Sequence, residues 1–161
     1  MLSRSRTVTA WSSRVSKSTV MQNGVPISDL KLHDIPNTVA KAAVEATRMG
    51  VKMFNVHASG SLKMMRTTVK EVRRVCRQEK RRAPIMLAVT VLTSLNQDDL
   101  KRVGVDERVA AQVVRLALLT REAGMDGVVA SPQEVADIRE RTEMVLEGRF
   151  AKVLRAEAVA M

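Results

Sequence analysis

The chain has no tyrosine, one tryptophan and two phenylalanines among its 161 residues. So sparse an aromatic set offers no stacking platform for the bases of single-stranded nucleic acid. A lone cysteine, Cys76, has no partner for an internal disulfide, which removes the case for a stapled secreted domain and fits a reducing, cytoplasmic setting. Long apolar runs are missing too. The longest, Pro84 to Leu92, is interrupted by Thr90 and falls far short of the roughly 20 residues that a membrane helix needs. Two histidines and one cysteine without a ligand pattern leave no metal site to expect. With only seven Gly and four Pro, 45% hydrophobic and 27% charged residues, a collagen-like, coiled-coil or disordered chain is excluded and a globular core is possible. At this length the chain holds one ordinary domain, or most of a larger one.

Acidic residues are the other shortage, and the net charge is +10. A balance of that size brings nucleic acid and anionic small molecules forward as partners. The excess is local. Residues 1–28 carry Arg4, Arg6, Arg14 and Lys17 without an acid, and Lys63 to Arg82 carry nine basic residues against Glu71 and Glu79. Elsewhere the two signs nearly balance, as on an ordinary solvated surface. Nucleic acid is therefore disfavoured, and an anionic small molecule remains.

Residues 1–27 are rich in Ser, Thr and Arg, include Asn23-Gly24 and Pro26, and show no periodicity, so they are read as a poorly ordered extension. Transit peptides share this composition, but so do plain disordered tails, and the plain reading is preferred. From residue 28 to 141 short apolar runs alternate with longer amphipathic segments, the signature of strand-helix units around a parallel sheet. Four units are expected. The first pairs a strand near Ile27 to Leu32 with a helix from Pro36 to Met49, ended by Gly50. The second pairs Val51 to Val56 with a helix over Leu62 to Lys80, whose apolar positions Leu62, Met65, Val69 and Val72 leave the basic residues on the other face. In the third, the strand Ile85 to Val91 is apolar throughout, as a strand covered on both faces must be. A short segment around Asp98 to Val103 and a helix near Glu107 to Ala123 follow it. The fourth joins Gly127 to Ala130 to a helix opened by Ser131-Pro132-Gln133-Glu134, a capping-box spacing. Residues 142–161 carry Val145, Phe150, Val153 and Leu154 at loosely helical spacing and read as a divergent helical tail without a further strand.

The densest polar cluster is Asp29-Leu30-Lys31-Leu32-His33-Asp34-Ile35-Pro36-Asn37-Thr38, at the end of the first of these strands. Residues two apart in a strand share a face, so Asp29 and Lys31 are expected to point together, with Asp34 in the following loop. An inward Asp-Lys pair can be purely structural. Its place at a strand's C-terminal end favours a site, because the active sites of parallel α/β folds gather there. His33 and His57 read as structural histidines, hydrogen-bonded near strand ends, and Cys76 as a packing residue.

That run closely resembles the signature of the orotidine 5′-phosphate decarboxylase family. Asn55-Val56-His57-Ala58-Ser59-Gly60 with Met64-Met65, then Ala88 to Ser94, then Gly124 to Ser131 with Gln133-Glu134, are similar to successive later strands and loops of the same family. The resemblance covers roughly residues 28–140. It implies a β/α (TIM-type) barrel, here a partial one of about four units, and a carboxy-lyase without metal or organic cofactor. The implied reaction converts orotidine 5′-monophosphate to uridine 5′-monophosphate and carbon dioxide in pyrimidine nucleotide synthesis. By the same resemblance Lys31 is the proton donor and Asp29 the carboxylate beside the substrate's own carboxylate. Asp34 reaches across a homodimer interface. Ile35 and Thr38 help the partner's site contact the nucleotide, Asn37 between them is a further substrate-binding candidate, and Thr93, with Ser94 beside it, is the pyrimidine-loop contact.

The chain departs from the family at both ends. A β/α barrel takes about 250 residues, and compact ones about 200. The family's first two strands supply an aspartate to the ribose and a lysine to the charge network, yet residues 1–28 contain no aspartate. Its last two units grip the phosphate, typically in a Thr-Pro-Gly-Ile-Arg stretch, and nothing similar follows Arg141. A truncated or mis-bounded member is expected, whose activity as an isolated chain is in question. Two other readings stand beside it. One is a related sugar-phosphate decarboxylase or aldolase sharing Asp-x-Lys-x-x-Asp, usually with magnesium. The other is a non-catalytic remnant that uses its basic segments as an interaction or nucleic-acid-binding surface.

Overall fold

Among the described residues six short strands hydrogen-bond side by side in chain order, and of these only the first runs against the rest. A computed structural model describes the backbone of residues 19–22, 25–143 and 152–155 and the side chains of residues 30–141. The strands are β1 (Thr19–Gln22), β2 (Val25–Leu32), β3 (Met53–His57), β4 (Ile85–Val89), β5 (Gly127–Ala130) and β6 (Lys152–Arg155). From β2 to β6 every neighbour is parallel. The helices are α1 (Pro36–Arg48), α2 (Leu62–Gln78), α3 (Gln97–Arg102), α4 (Val109–Glu122) and α5 (Val135–Glu143). This alternation is the partial β/α barrel expected from the sequence, with its four strand-helix units.

The helices begin and end where local chemistry dictates. Pro36 opens α1, where its missing amide costs nothing, and Gly50 follows the helix with a φ of +83°, a conformation that glycine adopts freely. Ser61 caps α2 by accepting from the Met64 amide at 3.2 Å. The helix then buries Met64, Met65, Thr68, Val69, Val72, Val75 and Cys76 and leaves Lys63, Arg66, Lys70, Arg73, Arg74 and Arg77 outside. The basic run is thus the wet face of an amphipathic helix. Asn96 and Asp99 form a reciprocal capping box on α3. Ser131 and Glu134 form another, closing a single 3-10 turn, Pro132–Glu134, that leads into α5.

The sheet has two different faces. Phe54, Val56, Met86, Ala88, Val128 and Ala130 turn toward the helices and join Val39, Met64, Met65, Val72, Val113 and Ile138 in one apolar core. Fully burying an aliphatic or aromatic side chain of this size stabilises by about 1.5–3 kcal/mol. Alternate residues lie on the opposite face in rows set by the register. One row runs Lys31, Asn55, Leu87, Gly127, and the next runs His57, Val89, Val129. Leu87 and Val89 are buried yet stand apart from the helix-side core.

Three points bear on the expectations. Firstly, between the pairs Ile27↔Met53 and Lys31↔Asn55 the β2–β3 register shifts, with four residues of β2 passing against two of β3. The expectation that Asp29 and Lys31 share a face involves the Asp29 side chain, which lies outside the described residues. Secondly, β1 and the start of β2 fall inside the segment read as an unstructured extension. They are separated by Asn23-Gly24, the pair that favours two-residue hairpin loops. Residues 1–18 lie outside the described residues. Thirdly, the tail read as helical contains β6, parallel to β5 from Gly127↔Lys152 to Ala130↔Arg155. Lys-Val-Leu-Arg is too short to show a period, and the edge of β5 supplies the pairing that its own pattern does not announce. Val145 and Phe150 lie outside the described residues.

Candidate active site at the strand ends

The candidate residues collect where β2 and β4 finish. Lys31 is exposed near the end of β2, followed by exposed His33, Asp34 and Ile35 in the loop into α1. Asp34 folds back locally, its Oδ1 accepting from the Ile35 amide at 2.6 Å. The Ile35 carbonyl accepts from the amides of Thr38 and Val39 at 3.0 and 3.2 Å, which starts the helix. Asn37 and Thr38 thereby stand exposed on its first turn, and Ile35 is 66% exposed. Thr93 and Ser94 are exposed in the turn after β4. Just before them Thr90 is buried and donates to the Val129 carbonyl through both its amide, at 3.1 Å, and its hydroxyl, at 3.0 Å. That tie fixes the end of β4 against β5.

β3 lies between these two groups. With neighbouring strands about 4.8 Å apart, the β2 and β4 positions are about 10 Å from one another, a span that a pyrimidine ring and its substituents can bridge. The residues of β3 facing that span are Asn55 and His57. Sequence reasoning placed Asn55 only as part of a strand. Its signal was there, a polar residue two before His57 in an apolar run, but its relation to Lys31 exists only through the register.

His57 stacks on His33, with ring centroids 5.2 Å apart and planes 26° from parallel. Burial holds the His57 imidazole below its ordinary pKa, and the nearby His33 and Lys31 push in the same direction. A 3-10 turn, Ala58–Gly60, leads from β3 toward α2 under this pair. At Gly60 a Cβ would collide with the Met64 methyl and come within 3.1 Å of His33 Cδ2, so the turn takes glycine for lack of room. Ser61 follows with a φ of +103°, a conformation that L residues rarely adopt. Asn55 is half-buried and its Oδ1 finds no donor among the described residues.

Among the described residues, no cluster of three or more His, Cys, Asp and Glu is arranged to hold a metal ion, and no helix is long and apolar enough to cross a membrane. A cavity of about 560 Å³ opens elsewhere, between α1 and α2 around Lys41, Arg48, Lys70 and Arg74.

A family model described as orotidine 5′-phosphate decarboxylase / HUMPS family matches residues 17–155. The orotidine 5′-phosphate decarboxylase of Pelobacter propionicus is 54% identical over 124 residues, which are 76% of this chain and 50% of that protein. That of Moorella thermoacetica is 52% identical over 120 residues, 74% and 48% of the two chains. Among solved structures, the orotidine 5′-phosphate decarboxylase of Lactobacillus acidophilus superposes with a TM-score of 0.65 at 36% identity, over 70% of this chain and 50% of that one. An uncharacterized conserved protein from Geobacillus kaustophilus gives 0.67 at 39% identity, over 71% and 54%. The chain spans about half the length of the curated relatives it matches.

Proposed function

Because this chain belongs to the orotidine 5′-phosphate decarboxylase / HUMPS family, we propose that it carries the central part of a carboxy-lyase site acting on orotidine 5′-monophosphate. The observation that carries the proposal is the juxtaposition at the strand ends. Lys31 lies one residue from the end of β2, Asp34 to Thr38 lead into α1, and Thr93 and Ser94 sit in the turn after β4, one strand beyond His57. In the reaction the bond from pyrimidine C6 to the carboxylate breaks, carbon dioxide leaves, and the electron pair stays on C6. The Lys31 ammonium stabilises that charge and then gives C6 its proton, to be reprotonated from water. Asp29 supplies like charge beside the substrate carboxylate, a repulsion relieved as carbon dioxide departs. Ile35, with Thr38, helps the partner's site contact the nucleotide, Asn37 is a further substrate-binding residue, and Thr93, with Ser94 beside it, contacts the base.

Two copies complete the site, with Asp34 and Thr38 of each reaching the other, in a cytoplasmic enzyme of pyrimidine synthesis that uses no cofactor. A related sugar-phosphate decarboxylase or aldolase would share Asp29, Lys31 and Asp34. The continuation His33-Asp34-Ile35-Pro36-Asn37-Thr38 and the names of the relatives favour the nucleotide substrate.

The test follows the ultraviolet absorbance of orotidine 5′-monophosphate with the purified 161-residue chain. Turnover that Lys31→Ala abolishes supports the proposal. Folded protein without turnover overturns it for this chain.

A further inference from the structure

Three features lie outside the roles assigned so far: the cavity between α1 and α2, the basic outer face of α2, and the polar residues that β3 presents between β2 and β4. The cavity mixes Lys41, Arg48, Lys70 and Arg74 with Glu45 and Glu71, and part of that charge is already paired, Arg48 with Glu45 and Arg74 with Glu71. The face of α2 likewise spends Arg66 on Glu122 and Arg73 on the Gly124 carbonyl. On β3, by contrast, a polar atom is buried and unused.

Asn55 is paired in register with Lys31, one strand away on the same face of the sheet. Side chains at paired positions of parallel strands stand side by side, so the Asn55 amide and the Lys31 stem share one space. Asn55 Oδ1 is shielded from water and has no donor among the described residues. An acceptor left in that condition costs about 1–3 kcal/mol unless something donates to it. The next residue along that face of β3 is His57, stacked on His33, and the Lys31 charge is felt at its imidazole.

We infer that Asn55 is a positioning residue for Lys31, its side-chain oxygen accepting from the ammonium and holding it over the span between β2 and β4. The inference rests on the decarboxylase reading for its purpose, though not for its geometry. An ammonium has three donors on a flexible stem, and a fixed neutral acceptor orients it without cancelling the charge that the chemistry needs.

Competitive acetylation tests this on the full chain without substrate. Lys31 is labelled with acetic anhydride at pH 8 against exposed Lys63 as internal reference, and both are quantified by mass spectrometry. Asn55→Leu keeps the approximate shape and removes the acceptor, so Lys31 should label roughly fivefold faster relative to Lys63, the factor a typical net hydrogen bond gives. Asn55→Asp keeps an acceptor and should restore or deepen the protection. Asn55→Ala replaces the leucine variant if circular dichroism shows that the latter is unfolded. An unchanged Lys31-to-Lys63 ratio across the variants overturns the inference, whatever happens to stability. Failure of the turnover assay with the acetylation pattern intact removes the decarboxylase reading and leaves the Asn55–Lys31 contact standing.

Discussion

His57 is held neutral in the folded chain chiefly by burial, with Lys31 and His33 adding to the effect. Its folded-state pKa is below the ordinary 6.5, so the unfolded chain binds more protons in the interval between the two values. The stability contributed by His57 is therefore complete above about pH 6.5 and lost as pH falls from there toward the lower folded-state value. The thermal midpoint should decline on going from pH 7 to pH 5, and His57→Gln should flatten that part of the curve in a differential scanning experiment. Gly60→Ala makes a second case at this scale. Its Cβ must displace the Met64 methyl, which is fully buried, and press on His33, so a loss of about 1–3 kcal/mol in urea unfolding is expected. Lys31, Asp34 and Thr38 stood out in the sequence as candidates because they lie within one short polar run. Asn55 did not, because its neighbour is 24 positions away and meets it only through strand pairing.

Elements differ in how much of their own formation they encode. α2 announces itself by an apolar stripe and a basic face, and the structure follows that pattern closely. Met65 sits on the stripe, fully buried, with the Thr120 hydroxyl of α4 3.7 Å from its sulfur. Met65→Ala should cost about 2–5 kcal/mol, read from the urea midpoint at unchanged slope. The box spacing of Ser131 to Glu134 was equally legible, whereas the caps at Ser61 and Asn96 were not singled out. Ser131→Ala opens the box at the start of α5 and should cost about 1 kcal/mol by the same measurement. β1 and β6 are the opposite case. Four residues each, they carry no period of their own, and what selects them is the unpaired edge of a neighbour. The shift in β2 between Ile27 and Lys31 belongs with them, since it is defined by the pairing with β3 and not by the order of apolar and polar side chains.

At the scale of the molecule, the parallel strands concentrate every candidate residue at one end of the sheet, while the helix-side core is built without them. Ile35 stands at that end, 66% exposed between Asp34 and Thr38. If two copies complete each other's sites there, Ile35→Asp places a charge in the contact and should weaken association at least roughly tenfold in sedimentation velocity, with the circular dichroism unchanged. The antiparallel pairing of β1 with β2 has a different consequence. A parallel neighbour of β2 needs the same row of backbone donors and acceptors that β1 now occupies, and one edge can serve only one of them. Adding a β/α unit on that side is consequently a displacement reaction, in which an incoming strand competes with a resident one tethered two residues away. The tether gives the resident a high local concentration, so the exchange has a threshold, and β1 sets it.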